Sequence, residues 1–290
     1  MNAASMENSG FEFSATYRNR DHAFKYDISA NLSTLKNKVT SLGIGKDSYI
    51  TGAYATYVGQ EIGQFYGWVY EGIARTQADL DGHATQQGAN VGDCLYKDIS
   101  GPEGTPDGVI DAYDQTVLGS GLPKVNFGLS THMEYKGFDL NISTYGVLNY
   151  HVSDDIYNSL NSCYGYGNKE VGMLDANRWS EDGTYLSSVP RTYAANNATL
   201  AWNDLFSSRK IQNAAYWKIA NVELGYNFPD KWFGGYVSGV RLYVSAQNLY
   251  TFTGYHGYNV DYAGGTFTPG YNFCSFPSAR TFMAGLHFTF

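Results

Sequence analysis

The sequence predicts an all-β protein, a segment of an antiparallel β-barrel that crosses a membrane. Three observations carry that prediction. Seven stretches alternate with period two between an apolar face and a polar one. The 26 Tyr, 16 Phe and 33 Gly favour pleated surfaces over helices. The connections between stretches are alternately short and very long, as in outer-membrane barrels.

The stretches follow in order. Gly10–Arg18 turns Phe11, Phe13, Ala15 and Tyr17 to one side. Phe24–Thr34 sets Phe24, Tyr26, Ile28, Ala30 and Leu32 against Lys25, Asp27, Ser29, Asn31 and Ser33. Lys124–Tyr135 sets Val125, Phe127, Leu129, Thr131, Met133 and Tyr135 against Asn126, Gly128, Ser130, His132 and Glu134. Phe138–Leu148 and Tyr216–Tyr226 alternate in the same way. In Val240–Tyr250, Val240, Leu242, Val244 and Ala246 oppose Arg241, Tyr243, Ser245 and Gln247. Thr281–Phe290 closes the series with Phe282, Ala284, Leu286, Phe288 and Phe290 on one face. A polar face opposite an oily one suits a wall between lumen and lipid. The competing architecture is a soluble β-sandwich, whose oily face would pack on a second sheet.

Short turns lie at 19–23, 136–137 and 227–239, and long excursions at roughly 36–123, 149–215 and 251–280. Ordinary soluble domains seldom carry connections of that length. With short turns on the periplasmic side, the C-terminus is periplasmic and the long loops are extracellular. The first ten residues have neither a basic n-region nor an apolar h-region. Seven strands are also an odd number, below the minimum of about eight for such barrels. Both points predict that residues 1–290 are the C-terminal part of a larger barrel.

No apolar run of about 18 residues is present, so no transmembrane helix is expected. The net charge of −8 disfavours nucleic acid, whose phosphates attract basic surfaces. Cys94, Cys163 and Cys274 lie far apart without metal spacing, and the six histidines are scattered. No catalytic order of Ser, His and Asp is evident, so the chain is not read as an enzyme. Asp154-Asp155 and Glu181-Asp182 read as solvated loop charge. Tyr164, Tyr166, Tyr255, Tyr258, Tyr262 and Tyr271 make the loops aromatic, fit for packing, a membrane girdle or contact with a ligand or partner.

One loop concentrates oxygen donors. Asp107-Gly-Val-Ile-Asp111-Ala-Tyr-Asp114 resembles the end of an EF-hand-type calcium loop. On that reading Asp98, Ser100, Asp107, the Val109 carbonyl, Asp111 and Asp114 ligate calcium. Residues 102–106 interrupt the register, and Asp114 stands where a bidentate Glu is usual. The alternative is an acidic turn folded on its own hydrogen bonds.

The run Tyr96-Lys-Asp-Ile-Ser-Gly, with Asp107-Gly-Val-Ile-Asp, Asp114-Gln-Thr-Val-Leu-Gly and Leu122-Pro-Lys-Val-Asn-Phe-Gly-Leu, resembles the SusC/RagA family of TonB-dependent outer-membrane transporters. Gly59-Gln-Glu-Ile-Gly-Gln-Phe-Tyr-Gly-Trp, Trp217-Lys-Ile-Ala-Asn-Val-Glu-Leu-Gly-Tyr and Arg241-Leu-Tyr-Val-Ser-Ala-Gln-Asn-Leu-Tyr are similar to further blocks of that family. The resemblance implies a 22-stranded barrel with an N-terminal plug, energised through the TonB complex and capped by a SusD-like surface lipoprotein. It implies import of oligosaccharides or peptides. The plug, the TonB box and most upstream strands have no counterpart in these residues. The runner-up function is a soluble calcium-stabilised β-protein that binds carbohydrate.

Overall fold

A computed structural model describes residues 4–43, 45–162, 168–171, 189–192, 202–233, 237–261, 264–273 and 275–290. Its backbone is a seven-stranded antiparallel sheet whose strands follow one another in chain order. They are β1 (Glu12–Asn19), β2 (Phe24–Thr34), β3 (Val125–Tyr135), β4 (Phe138–Leu148), β5 (Tyr216–Phe228), β6 (Gly239–Thr253) and β7 (Thr281–Thr289). These are the seven stretches read from alternation. The sheet does not close, so β1 and β7 remain its edges.

The first strand is shorter than predicted, and the physical reason is Gly10. A Cβ there would lie 1.9 Å from the Thr34 carbonyl oxygen. At this close approach the chain leaves the main sheet, and Ser5–Ser9 pairs instead with Lys36–Ser41. The β5–β6 pair carries an irregularity between Ile219 and Asn221. Beyond it Trp217 and Ile219, rather than Lys218, share the apolar face. Asn248, on the opposing strand, takes φ 52°, a left-handed conformation that Asn tolerates.

The apolar face has nothing packed over it. Phe13, Tyr17, Ile28, Leu32, Leu129, Leu224, Leu242, Val244, Phe282 and Leu286 are all exposed. A sandwich would bury this row, so the soluble alternative does not describe the fold. Aromatic rings mark both margins. At the short-turn end Tyr17, Tyr26, Phe24 and Tyr135 form a chain of ring contacts, and Phe138, Tyr226, Phe228 and Trp232 form another. At the long-loop end Trp217 stacks on Phe252 at 5.2 Å, with Tyr250 beside it. Two girdles bracketing an apolar band are the signature of a lipid-facing barrel wall. Eleven residues, the length of β2, β3 and β4, rise about 37 Å. Tilted by about 40°, such a strand crosses a ~25 Å apolar band.

The long excursions are not featureless. Residues 48–119 contain a four-stranded sheet (Ser48–Thr51, Tyr54–Tyr57, Gln64–Gly67, Thr116–Gly119), and Tyr70–Ile73 pairs with Cys94–Tyr96. His151–Asp154 is flanked by Gln212–Asn213 and Tyr271–Asn272, tying the second and third excursions together. These strands are two to four residues long, too short for alternation to reveal. No helix among the described residues is long and apolar enough to cross a membrane.

Candidate functional site: the polar wall and its loops

The strand register lays the polar face out in rows. Arg18, Asp27, His132, Asn141, Glu223, Ser245 and Met283 pair successively across all seven strands. One residue pair nearer the short turns, Lys25, Glu134 and Asp139 form a second charged row. The charges neutralise one another locally. Arg241 donates to Asp139 at 3.0 and 2.5 Å and to Glu223 at 2.7 Å, and Asn227 adds a bond to Asp139 at 2.8 Å. His132 lies between Asn141 (2.6 Å) and Glu134 (2.9 Å). Arg20 closes the belt on Asp27. Side chains one strand apart and directly opposite are close enough for such pairing, so alternating charge follows from register alone.

Towards the long loops the rows lose charge. Thr16, Ser29, Ser130, Ser143, Asn221, Gln247 and Thr281 form a row of hydroxyls and amides. The next row contains Ser14, Asn31, Gly128, Tyr145 and Lys218. Lys218 is almost wholly buried and is met by Asp261 at 2.6 Å, while the Tyr145 hydroxyl donates to the same carboxylate at 3.3 Å. Asp261 belongs to the third excursion, whose Val260 packs with Val147, Tyr150, Val152, Ala214, Tyr216 and Tyr255. That apolar cluster and the ion pair together fix the loop against the top of the wall.

Two buried polar hubs hold the excursions to each other. Asp154, at the end of His151–Asp154, receives the Tyr255 hydroxyl and the Asn272 amide (3.1 Å), and caps the short helix Asp155–Leu160 through Tyr157 N (2.8 Å). Burial, with Asp154 adding to it, pushes the Tyr255 phenol upward. Asp93 receives a bidentate pair from Arg191 at 2.6 and 2.8 Å and an amide bond from Asn203 at 2.8 Å. The adjoining Cys94 is a free, fully buried thiol beside Tyr96 and Ile110, and burial pushes it up to about 11.

The acidic loop is ordered by its own backbone. Asp114 is completely buried and accepts from Ile99 N (2.8 Å), Ser100 N (3.1 Å) and Asp111 N (2.9 Å). Asp98 accepts from Gly108 N (2.7 Å), Asp107 from Val109 N (3.0 Å) and Asp111 from Tyr113 N (2.7 Å). The structure thus brings Asp114 to Ser100 and Asp111, and Asp98 to the Asp107–Val109 turn. Among the described residues no three His, Cys, Asp or Glu side chains are positioned to hold a metal ion. The one polar atom of the loop left buried without a hydrogen-bond partner is the second Asp98 oxygen.

Sequence reasoning missed the Lys218–Asp261 pair and both hubs, because their members lie 43 to 118 residues apart. The one signal for Lys218 was the single cation in an alternating strand. Cys163, Cys274, Tyr164, Tyr166, Tyr262 and Glu181-Asp182 lie outside the described residues.

A sheet with an uncovered apolar face, aromatic margins and a self-neutralised polar face defines a segment of a membrane-spanning barrel wall. No protein-family profile matches the chain. TonB-dependent receptor P3 of Formosa agariphila is 30% identical over 100% of this chain and 29% of its own length. TonB-dependent receptor SusC of Bacteroides thetaiotaomicron is 26% identical over 100% of this chain and 27% of its own. The chain therefore spans under a third of the relatives it matches. The structure of the RagAB peptide transporter superposes with a TM-score of 0.76 at 21% identity, covering 98% of this chain and 29% of that one. At that identity the likeness speaks for the fold. Along its whole length the chain is similar in sequence to TonB-dependent receptors, SusC among them, and it shares the fold of a segment of the RagAB transporter.

Proposed function

We propose that the chain forms part of the wall of an outer-membrane nutrient importer that takes up oligosaccharides or peptides. The observation that carries this reading is the apolar row exposed on all seven strands, which only lipid would cover. The names of its relatives, TonB-dependent receptors and SusC, support the same reading. In it, the long excursions face outward beneath a SusD-like lipoprotein, and the short turns and Phe290 face the periplasm. A plug that residues 1–290 do not supply receives energy from the TonB complex. The strands do no chemistry. They hold a pore of fixed section, and the charged belt gives the plug a polar surface to slide on.

Membrane fractionation with uptake assays tests this. The expected result is recovery in the outer membrane and uptake of a labelled oligosaccharide or peptide that stops when the proton-motive force is collapsed. Recovery in the soluble fraction, or uptake that survives deletion of the gene, overturns it.

A further inference from the structure

The polar wall contains a notch. Gly128 in β3 lacks a side chain where every neighbour in its row has one, and a cavity of about 410 Å³ opens over it. Its polar lining is Asn31, Asn126, Ser130, Thr144, Tyr145 and Tyr216. That size lies within the usual range for small-ligand sites, about 300–1,000 Å³. Tyr145 stands edge-to-face to Tyr216 at 6.0 Å and keeps 38% of its surface exposed.

The chemistry of this lining is selective. Asn31, Asn126 and Ser130 present donors and acceptors without charge. The nearest cation, Lys218, is already neutralised by Asp261 at 2.6 Å. On the short-turn side the charged rows begin beyond Ser130, at His132 and Asp27, and are paired internally. Glu12 lies two strands away in the Asn126 row, so among the described residues an anionic ligand entering here would lose hydration and meet no free counter-charge, which is costly. A neutral molecule bristling with hydroxyls meets amides that both give and take hydrogen bonds, and a phenol ring with an apolar surface. We infer that the Gly128 notch is a ligand subsite for one uncharged, hydroxyl-rich unit, a pyranose ring of an oligosaccharide. This deepens the import reading by placing a saccharide contact on the barrel wall itself.

The test uses the intact protein in detergent, titrated calorimetrically with a panel of neutral hexasaccharides, a doubly capped alanine hexapeptide and the same peptide uncapped. Gly128→Val fills the notch with a strand-compatible side chain. The nearest atom to its Cβ would be the end of the flexible Asn31 side chain, at 2.8 Å, which can swing aside, so the strand can accept it. Tyr145→Ala removes the ring, and Tyr145→Phe keeps it. Heat-resistant migration on gels confirms that each variant folds. The expected result is that a neutral saccharide binds, that Gly128→Val and Tyr145→Ala weaken it by about tenfold or more, and that Tyr145→Phe stays within about threefold. Unchanged saccharide binding in Gly128→Val overturns the subsite. So does a panel in which no saccharide binds, or in which the uncapped peptide binds as tightly. Energy-dependent uptake, followed in parallel, tests the import reading separately, since import of some nutrient can persist when the notch proves irrelevant.

Discussion

Arg241→Met breaks the densest part of the charged belt, and its cost follows from the geometry. Asp139 is 7% exposed as a side chain, Arg241 24% and Glu223 26%. The variant deletes three charge-assisted hydrogen bonds, two to Asp139 and one to Glu223, and leaves Asp139 with only the Asn227 amide. Each such bond contributes about 1.5–3 kcal/mol net, and stranding a buried carboxylate costs about 3–5 kcal/mol in a dry site. Water on the polar face screens Glu223 and part of Asp139, which brings the expected loss to about 3 kcal/mol. Urea unfolding of the detergent-refolded barrel measures it. Adding Asp139→Asn removes the stranded charge, so the double variant regains about half of the loss, as a coupled pair requires. A single variant within about 0.5 kcal/mol of the parent would refute the idea that this belt holds adjacent strands together.

Further outcomes follow from the loops. Gly270 has φ 74°, and a Cβ on it would lie 2.4 Å from the His151 carbonyl oxygen; Gly270→Ala should detach the Tyr271–Asn272 segment, read as faster proteolysis there than in the parent. Asp114→Ala strands three backbone N–H groups and should destabilise the first excursion by about 2–3 kcal/mol, visible as lost amide protection at residues 99–111. Chelation should leave the unfolding midpoint unchanged, because backbone amides already bond Asp98, Asp107, Asp111 and Asp114; a fall of several degrees would favour the calcium reading of Asp98, Ser100, Asp107, Val109, Asp111 and Asp114. The Cys94 thiol ionises near 9 when unfolded and near 11 when folded. The unfolded state therefore loses its proton first, so this thiol's contribution is intact below pH 9 and is lost as pH rises towards 11. Comparing denaturant midpoints of the parent and Cys94→Ala across that range checks the slope.

The barrel strands were legible because each repeats a period-two pattern over eight or more residues, and one side of each faces a single environment. Phe24–Thr34 and Phe138–Leu148 match their predicted limits at both ends. Gly10 was invisible as a break, since only the opposed Thr34 carbonyl makes it one. The rows of the polar face became readable once register was known. Gly128 and Tyr145 are 17 residues apart in sequence yet stand directly opposite. The acidic loop carries two readings at once: the carboxylate spacing that suits calcium also suits backbone amides.

Nitroxide scanning across β2 in lipid bilayers tests the central claim most directly. Labels at residues 28 to 33 of the intact protein are exposed to oxygen, which concentrates in lipid, and to a water-soluble nickel chelate. Oxygen collisions should peak at Ile28, Ala30 and Leu32 and dip at Ser29, Asn31 and Ser33, with the opposite phase for nickel. Uniformly low oxygen access at 28, 30 and 32 would mean that protein covers this face, and the barrel-wall account would fail.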